Sequence, residues 1–280
     1  MDINGISRDL LQQYEEYLTE NEKAGATIEK YRMVMNEFAL FLQERSLTKH
    51  EILSFRELLR DRHKPQTVNV KLAAVNSFLD FAGRTELKVR FLKIQRRAFV
   101  EESRELTDKD YRNLLEEARK QKNDRLYHII ITLSGTGIRI SELQYITVEA
   151  VKCGRAEINM KGKHRLILLP QCLKSRLLSY IKSNDIKKGA IFRTRTGAAM
   201  DRSNIWHELK KLCQFSTVNP DKVFPHNFRH LFARCYYGVE KNLAHLADIL
   251  GHSSVETTRT YVAVSAKVHE KTLCRMNLVI

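Results

Sequence analysis

Residues 156–169 read AEINMKGKHRLILL. From Ala156 to Met160 apolar and polar residues alternate, the period-two pattern of a half-buried strand. Lys161-Gly162-Lys163-His164 supplies a turn, and Arg165 to Leu169 returns as a second strand that Pro170 stops. Proline cannot donate to a strand ladder, so it marks the end. On either side the periodicity is helical. The expected fold is therefore mainly α, with one small β-hairpin set in a mainly helical second domain.

Working towards the N-terminus, apolar residues fall at Ile28, Tyr31, Met35, Phe38 and Leu42, and again at Val68, Leu72, Val75, Leu79 and Ala82. Steps of three and four place each set on one helix face. Leu10, Leu11, Tyr14, Tyr17 and Leu18 predict an earlier helix, and Ile52 to Leu59 a short one between. Residues 1–88 thus read as a unit of four or five helices with short connections. A charged stretch follows, LKVRFLKIQRRAFVEESREL, with Arg96 and Arg97 at its centre. Residues 89–104 are expected to be a basic linker. Thr107-x-x-Asp110 is a helix-start signal of the capping-box type and opens a second domain over residues 105–280. Helical spacing continues through Leu114, Leu115 and Ala118, then Leu126, Ile129, Ile130 and Leu133. Beyond the hairpin, helices are expected from Ser203 to Cys213, from Pro225, and from Leu243 to Leu250.

Composition narrows the partners. The chain has 280 residues, 48 Lys and Arg against 33 Asp and Glu, and a formal charge of +15. Such an excess gathers polyanions, nucleic acid before an anionic membrane surface. No apolar run reaches the roughly 18 residues of a membrane span, and MDINGISRDLL lacks the layout of a signal peptide. A cytoplasmic, nucleoid-associated location is expected. The five cysteines are widely spaced with no Cys-x-x-Cys, which suggests neither a disulfide framework nor a zinc knuckle.

Four segments of the second domain carry residues able to handle a phosphate. In Thr136-Gly137-Ile138-Arg139-Ile140-Ser141-Glu142-Leu143 a glycine turns the chain ahead of an arginine, which suits an anion seat or a plain surface. The hairpin presents Lys161 and Lys163; from Arg155 to Arg176 there are six Lys or Arg and one acid, Glu157. A basic tip of this kind either enters a DNA groove or keeps a strand edge solvated. In Pro225-His226-Asn227-Phe228-Arg229-His230, spacing of three brings His226 and Arg229 to one helix face, a proton carrier beside a permanent cation. Metal binding by His226, His230 and His245 is the rival idea; no acidic or cysteine partner accompanies them, and Arg229 would repel the ion. In LGHSSVETTRTYV, residues 250–262, Tyr261 stands nine residues after His252. A phenol near pKa 10 attacks only when its proton has a destination and the target's charge is neutralised. Arg139, Lys161, His226, Arg229 and His252 are the set that attack on a phosphodiester requires.

These segments, TGIRISEL, MKGKHR, HNFRH and LGHSSVETTRTY in this order, resemble the boxes of the tyrosine recombinase, or phage integrase, family, and the resemblance covers nearly the whole chain. It implies a SAM-like helical core-binding domain followed by a catalytic domain, in a simple Xer-like two-domain arrangement that closes on DNA as a C-shaped clamp. It further implies that Arg139 and Arg229 clamp the scissile phosphate, that His226 moves a proton and touches the phosphate, and that His252 bonds a non-bridging oxygen. Lys161 protonates the leaving 5′ oxygen and Tyr261 forms a 3′-phosphotyrosyl link, with Glu142 in support. The hairpin is one residue shorter than the G-K-G-x-K-x-R common in the family, so Lys163 stands beside Lys161 as a candidate acid. Arg96, Arg97 and Arg165 are expected to meet DNA. Bond energy is conserved in such a transesterification, and the chain carries no P-loop and no carboxylate cluster for Mg²⁺, so no cofactor and no metal are expected.

The expected function is site-specific recombination of double-stranded DNA, with four protomers assembling on two sites. Relaxation of DNA by a type IB topoisomerase-like enzyme shares the chemistry, and a non-catalytic DNA-binding regulator would share the charge but has no use for Tyr261 beside that cluster. The apolar residues of the tail after Tyr261, among them Leu273, Met276 and Ile280, suggest docking either on a neighbouring protomer or on the tail's own domain.

Overall fold

A computed structural model of the chain describes residues 6–43, 45–94, 104–160, 163–252 and 254–262, with the backbone alone at 159, 160, 163 and 164. The chain forms two compact units, Met1–Arg96 and Arg97–Ile280. No described helix is long and apolar enough to cross a membrane.

The first unit is built from α1 (Arg8–Glu20), α2 (Gly25–Leu42), α3 (Lys49–Arg62) and α4 (Pro65–Phe81). Local chemistry sets their starts. The Ser7 hydroxyl accepts from Leu10 N–H, the Thr48 hydroxyl accepts from Glu51 N–H, and Pro65 occupies the first turn of α4, where its missing N–H does no harm. The apolar faces meet in one core of Tyr14, Leu18, Met35, Phe38, Leu42, Ile52, Phe55, Leu59, Val68, Leu72, Val75, Phe78 and Leu79. Ile28, Tyr31 and Ala82, which share the predicted faces, lie at the margin, partly buried. Burial pushes the Tyr14 phenol up to about 12, and its ring meets the Phe78 ring edge-on at 5.3 Å.

The unit runs past Lys88. Asn76 exchanges both amide hydrogen bonds with the backbone of Val89, at 2.9 and 3.0 Å, and Asn69 does the same with Leu92, at 2.9 and 2.8 Å. Two carboxamides on α4 stand in for a partner strand and hold residues 89 and 92 against the helix. The expected linker therefore begins later than residue 89. Arg96 and Arg97 lie outside the described residues.

In the second unit, α5 (Asp108–Lys120) opens with the expected capping box: Thr107 Oγ1 accepts from Asp110 N–H at 3.1 Å and Asp110 Oδ2 accepts from Thr107 N–H at 3.0 Å. Next come α6 (Asp124–Thr136), a 3₁₀ segment over Ile140–Tyr145 and α7 (Val148–Cys153). Strands β1 (Arg155–Met160) and β2 (Lys163–Leu168) pair antiparallel, with Met160 opposite Lys163 and Arg155 opposite Leu168. The returning strand thus starts at Lys163, two residues before the sequence pattern suggests, because backbone pairing continues past the last alternating apolar residue. After the hairpin come α8 (Gln171–Ser183), α9 (Arg202–Cys213), α10 (Pro225–Val239), α11 (Leu243–Leu250) and α12 (Val255–Val262).

Helix α6 is the axis of this unit. Nine of its residues are buried, and α5, α8, α9 and α10 pack around it. At roughly 1.5–3 kcal/mol for each fully buried large apolar side chain, this helix supplies much of the unit's stability. It ends at Gly137 with φ +62°, a left-handed cap. A Cβ there would come within 2.4 Å of the Phe232 ring, so glycine is required for space as well as for backbone direction. Helix α11 ends the same way at Gly251, φ +61°.

Candidate active site

Arg229 lies fully buried one turn into α10. One terminal nitrogen donates to Gly137 O at 2.6 Å. The other donates to Leu250 O at 2.7 Å and faces His252 Nε2 at 2.8 Å. Both carbonyls belong to helix ends, those of α6 and α11, where unpaired C=O groups gather partial negative charge. Burial, then the nearby Arg139, pulls Arg229 down to about 10, so it stays cationic at neutral pH.

His252 is oriented from both sides. Arginine has only donors, so Nε2 accepts from Arg229 and the ring proton sits on Nδ1, 2.8 Å from Thr258 Oγ1. Burial, with Arg229 and Arg139 beside it, pushes this imidazole down to about 4. Thr258 is fully buried and lies three residues before Tyr261 on α12, where the helix turns both side chains inward.

Tyr261 is 7% exposed and packs with Ala233, Leu246 and Leu250, which hold α12 against α10 and α11. Its hydroxyl is 3.1 Å from His226 Nε2. The Arg229 guanidinium carbon lies 5.8 Å from the centre of its ring. His226 occupies the first turn of α10, and burial followed by Arg229 and Arg139 holds it below the usual histidine range.

Arg139 sits at the mouth with its side chain 42% exposed. Glu142, whose side chain is 6% exposed, takes Arg139 N–H at 2.8 Å and an Arg139 guanidinium N–H at 2.9 Å; a further guanidinium nitrogen reaches Gly251 O at 3.2 Å. Arg165 makes its polar contacts inside this network. It donates to Glu142 at 2.6 Å and to Ile249 O at 2.7 Å, and its side chain is 9% exposed. Arg165, expected to meet DNA, here bridges Glu142 and the end of α11, because the strand turns residue 165 towards a buried carboxylate. The Arg165 stem lies against Gly251, where a Cβ would approach its Cδ to 2.5 Å.

The fold therefore gathers Arg139, Glu142, His226, Arg229, His252 and Tyr261. It adds Thr258, which the sequence reading does not single out, together with Arg165, expected there to meet DNA, and His230, weighed there only as a metal ligand. Arg139 and Arg165 share the Glu142 carboxylate and Arg229 pairs with neutral groups, so three guanidinium charges meet one carboxylate charge and leave the pocket set for an anion. Lys161 lies outside the described residues, as does the tail from residue 263; Lys163 is described in its backbone alone.

Comparison with known proteins agrees with this geometry. Residues 104–267 match the model of the phage integrase family, and residues 11–86 match that of the phage integrase N-terminal SAM-like domain. The chain is 27% identical over 283 residues to tyrosine recombinase XerA of Pyrococcus furiosus (strain ATCC 43587 / DSM 3638 / JCM 8422 / Vc1), covering 98% of this chain and 96% of that one. Its fold is similar to XerH site-specific recombinase bound to difH substrate in a pre-cleavage complex, with TM-score 0.69 and 16% identity over 100% of this chain and 99% of that one. It is also similar to a lambda integrase tetramer bound to a Holliday junction, with TM-score 0.71 and 17% identity over 88% and 77% of the two chains. The chain belongs to the phage integrase family and is a tyrosine-type, site-specific DNA recombinase.

Proposed function

We propose that Tyr261 cuts and rejoins double-stranded DNA by transesterification, and that the contact of its hydroxyl with His226, 3.1 Å apart, is the observation that carries the assignment. A phenol near pKa 10 is about three units from ionised at neutral pH, roughly 4 kcal/mol. His226, held neutral by burial and by two arginines, takes the phenol proton at Nε2 as the oxygen attacks phosphorus. The new bond is phenol oxygen to phosphorus; the bond that breaks is phosphorus to the 5′ oxygen. Lys161 or Lys163 supplies the proton that the leaving oxygen needs. A 5′ hydroxyl of the partner strand then reverses the steps and releases Tyr261.

Arg139 is the exposed cation and meets the phosphate first. Arg229, behind the ring of Tyr261, provides the field in which phenolate and phosphorane charge develop. Once the incoming phosphate replaces His252 as the partner of Arg229, the imidazole proton moves to Nε2, which donates to a non-bridging oxygen while Nδ1 accepts from the Thr258 hydroxyl. Glu142 fixes the direction of Arg139 and supports the site without touching the phosphate.

The duplex is gripped by both units, the first as the core-type domain and the second as the catalytic one, with Arg96 and Arg97, where one unit gives way to the other, on the phosphate backbone. Four protomers assemble on two sites, a reading supported by the similarity to a lambda integrase tetramer. The cytoplasm, at the nucleoid, is the matching compartment. Trapping on nicked suicide DNA tests the chemistry. Wild type should form a protease-sensitive covalent adduct, and Tyr261→Phe should form none while its half-site affinity is kept. An adduct in Tyr261→Phe overturns the assignment.

A further inference from the structure

His230 lies one helical turn after His226 on α10, so the two rings share a face. The His230 ring stacks on Tyr261 with centroids 4.1 Å apart and planes 17° apart, and meets the His226 ring edge-on at 4.8 Å. It is the closest and most nearly parallel of the ring contacts to Tyr261. His226 meets that ring at 5.2 Å and 67°, and His252 at 4.9 Å and 51°. Burial, then His226, Arg234 and Arg229, pushes His230 down to about 3, which leaves a neutral flat ring against the phenol.

We propose that His230 is a positioning residue for the nucleophile: its imidazole face sets the plane of the Tyr261 ring and so aims the phenol oxygen. This rests on Tyr261 being the nucleophile. The hydroxyl contact with His226 fixes one point of the side chain, yet the ring still turns about the axis from Cβ to oxygen without moving that point. Conjugation keeps the phenol O–H in the ring plane, so that rotation redirects both the departing proton and the attacking lone pair. The stack removes the rotation. A group held within a few tenths of an ångström and a few degrees of its attack geometry gains most of what positioning offers.

Single-turnover cleavage of nicked suicide DNA, half-site affinity and ¹⁹F NMR of 3-fluorotyrosine-labelled protein test the idea on the full chain. The Tyr261 resonance is assigned by its loss in Tyr261→Phe. His230→Leu fills the space without a plane, and His230→Phe restores a plane without a nitrogen. His230→Leu is expected to slow cleavage about ten- to a hundredfold with half-site affinity unchanged within about twofold, and to move the Tyr261 resonance. His230→Phe should recover the rate to within about threefold and return the resonance towards its wild-type position. Cleavage by His230→Leu at the wild-type rate overturns the proposal, and so does a His230→Phe variant as slow as His230→Leu. A covalent adduct in Tyr261→Phe removes the nucleophile assignment instead, so the two failures are distinguishable.

Discussion

Replacing Glu142 with Gln keeps the shape of the side chain and removes its charge. Three donors converge on this carboxylate: the backbone and guanidinium of Arg139 and the guanidinium of Arg165. An amide offers one acceptor oxygen, so its nitrogen must face at least one of those donors. Deleting one partner of a buried ion pair costs about 3–5 kcal/mol. Arg139 is 42% exposed and its share is screened, whereas Arg165 is 9% exposed and bears the full effect. The expected loss is about 2–3 kcal/mol, which lowers the melting temperature of a unit this size by about 5–10 °C. The single tryptophan, Trp206, lies on α9 of the second unit, so its fluorescence follows that unit alone. Urea or thermal unfolding watched at Trp206 measures the loss. The double variant Glu142→Gln/Arg165→Met should be less destabilised than the sum of its singles by about 1 kcal/mol or more, because it no longer buries an unpaired guanidinium. Cleavage should fall further than half-site binding, since the site loses the aim of Arg139 but none of its positive charge. A melting temperature within about 1 °C of wild type, or strict additivity in the double variant, refutes the assignment of Glu142 as the shared counter-charge.

Other outcomes are equally specific. His252 and His230 are held near 4 and 3 in the folded chain, below the ordinary histidine value, so the unfolded chain binds more protons as the medium becomes acidic. The stability of the second unit should therefore be full above about pH 6.5 and decline from there towards pH 4, with His252→Gln flattening part of that slope in Trp206 fluorescence. Lys161→Ala should slow cleavage of ordinary DNA and be rescued on a substrate with a 5′-bridging sulfur, whose thiolate leaves without a proton donor; rescue of Lys163→Ala in its place moves the acid to Lys163. Gly251→Ala should destabilise the second unit by about 1–3 kcal/mol in urea unfolding, because the left-handed backbone and the Arg165 stem both reject a methyl group. An unaffected midpoint contradicts the packing of Arg165 on that turn.

Much of the fold follows from patterns local in sequence. The capping box at Thr107, the spacing in α2 and α4 and the alternation in β1 each report a structure formed by neighbours. Arg139, Arg229, His226 and Tyr261 were legible for a different reason, since their combination has a chemical meaning. What escaped depends on contacts between distant segments. Arg165 stands among basic residues and reads as a surface cation, yet its partners are Glu142 and Ile249, 23 and 84 positions away. Asn69 and Asn76 fall between the apolar positions of α4, and nothing local announces their bonds to the backbone of Leu92 and Val89. Thr258 sits in a run of hydroxyl residues that gives no hint which one points inward. His230 carried a usable signal, four residues after His226 on one face, but its meaning depends on where α12 brings Tyr261.

The negative half of the Arg229 pocket is main chain. Beside His252, its acceptors are the carbonyls of residues 137 and 250, which no side-chain substitution deletes and no proton neutralises. A carboxylate in their place would repel an arriving phosphate and would lose its charge in acid. Peptide dipoles steady the cation and leave its attraction for a second anion intact. What such a pocket demands of the sequence is backbone direction at two helix ends, and the glycines at 137 and 251 are its only visible trace.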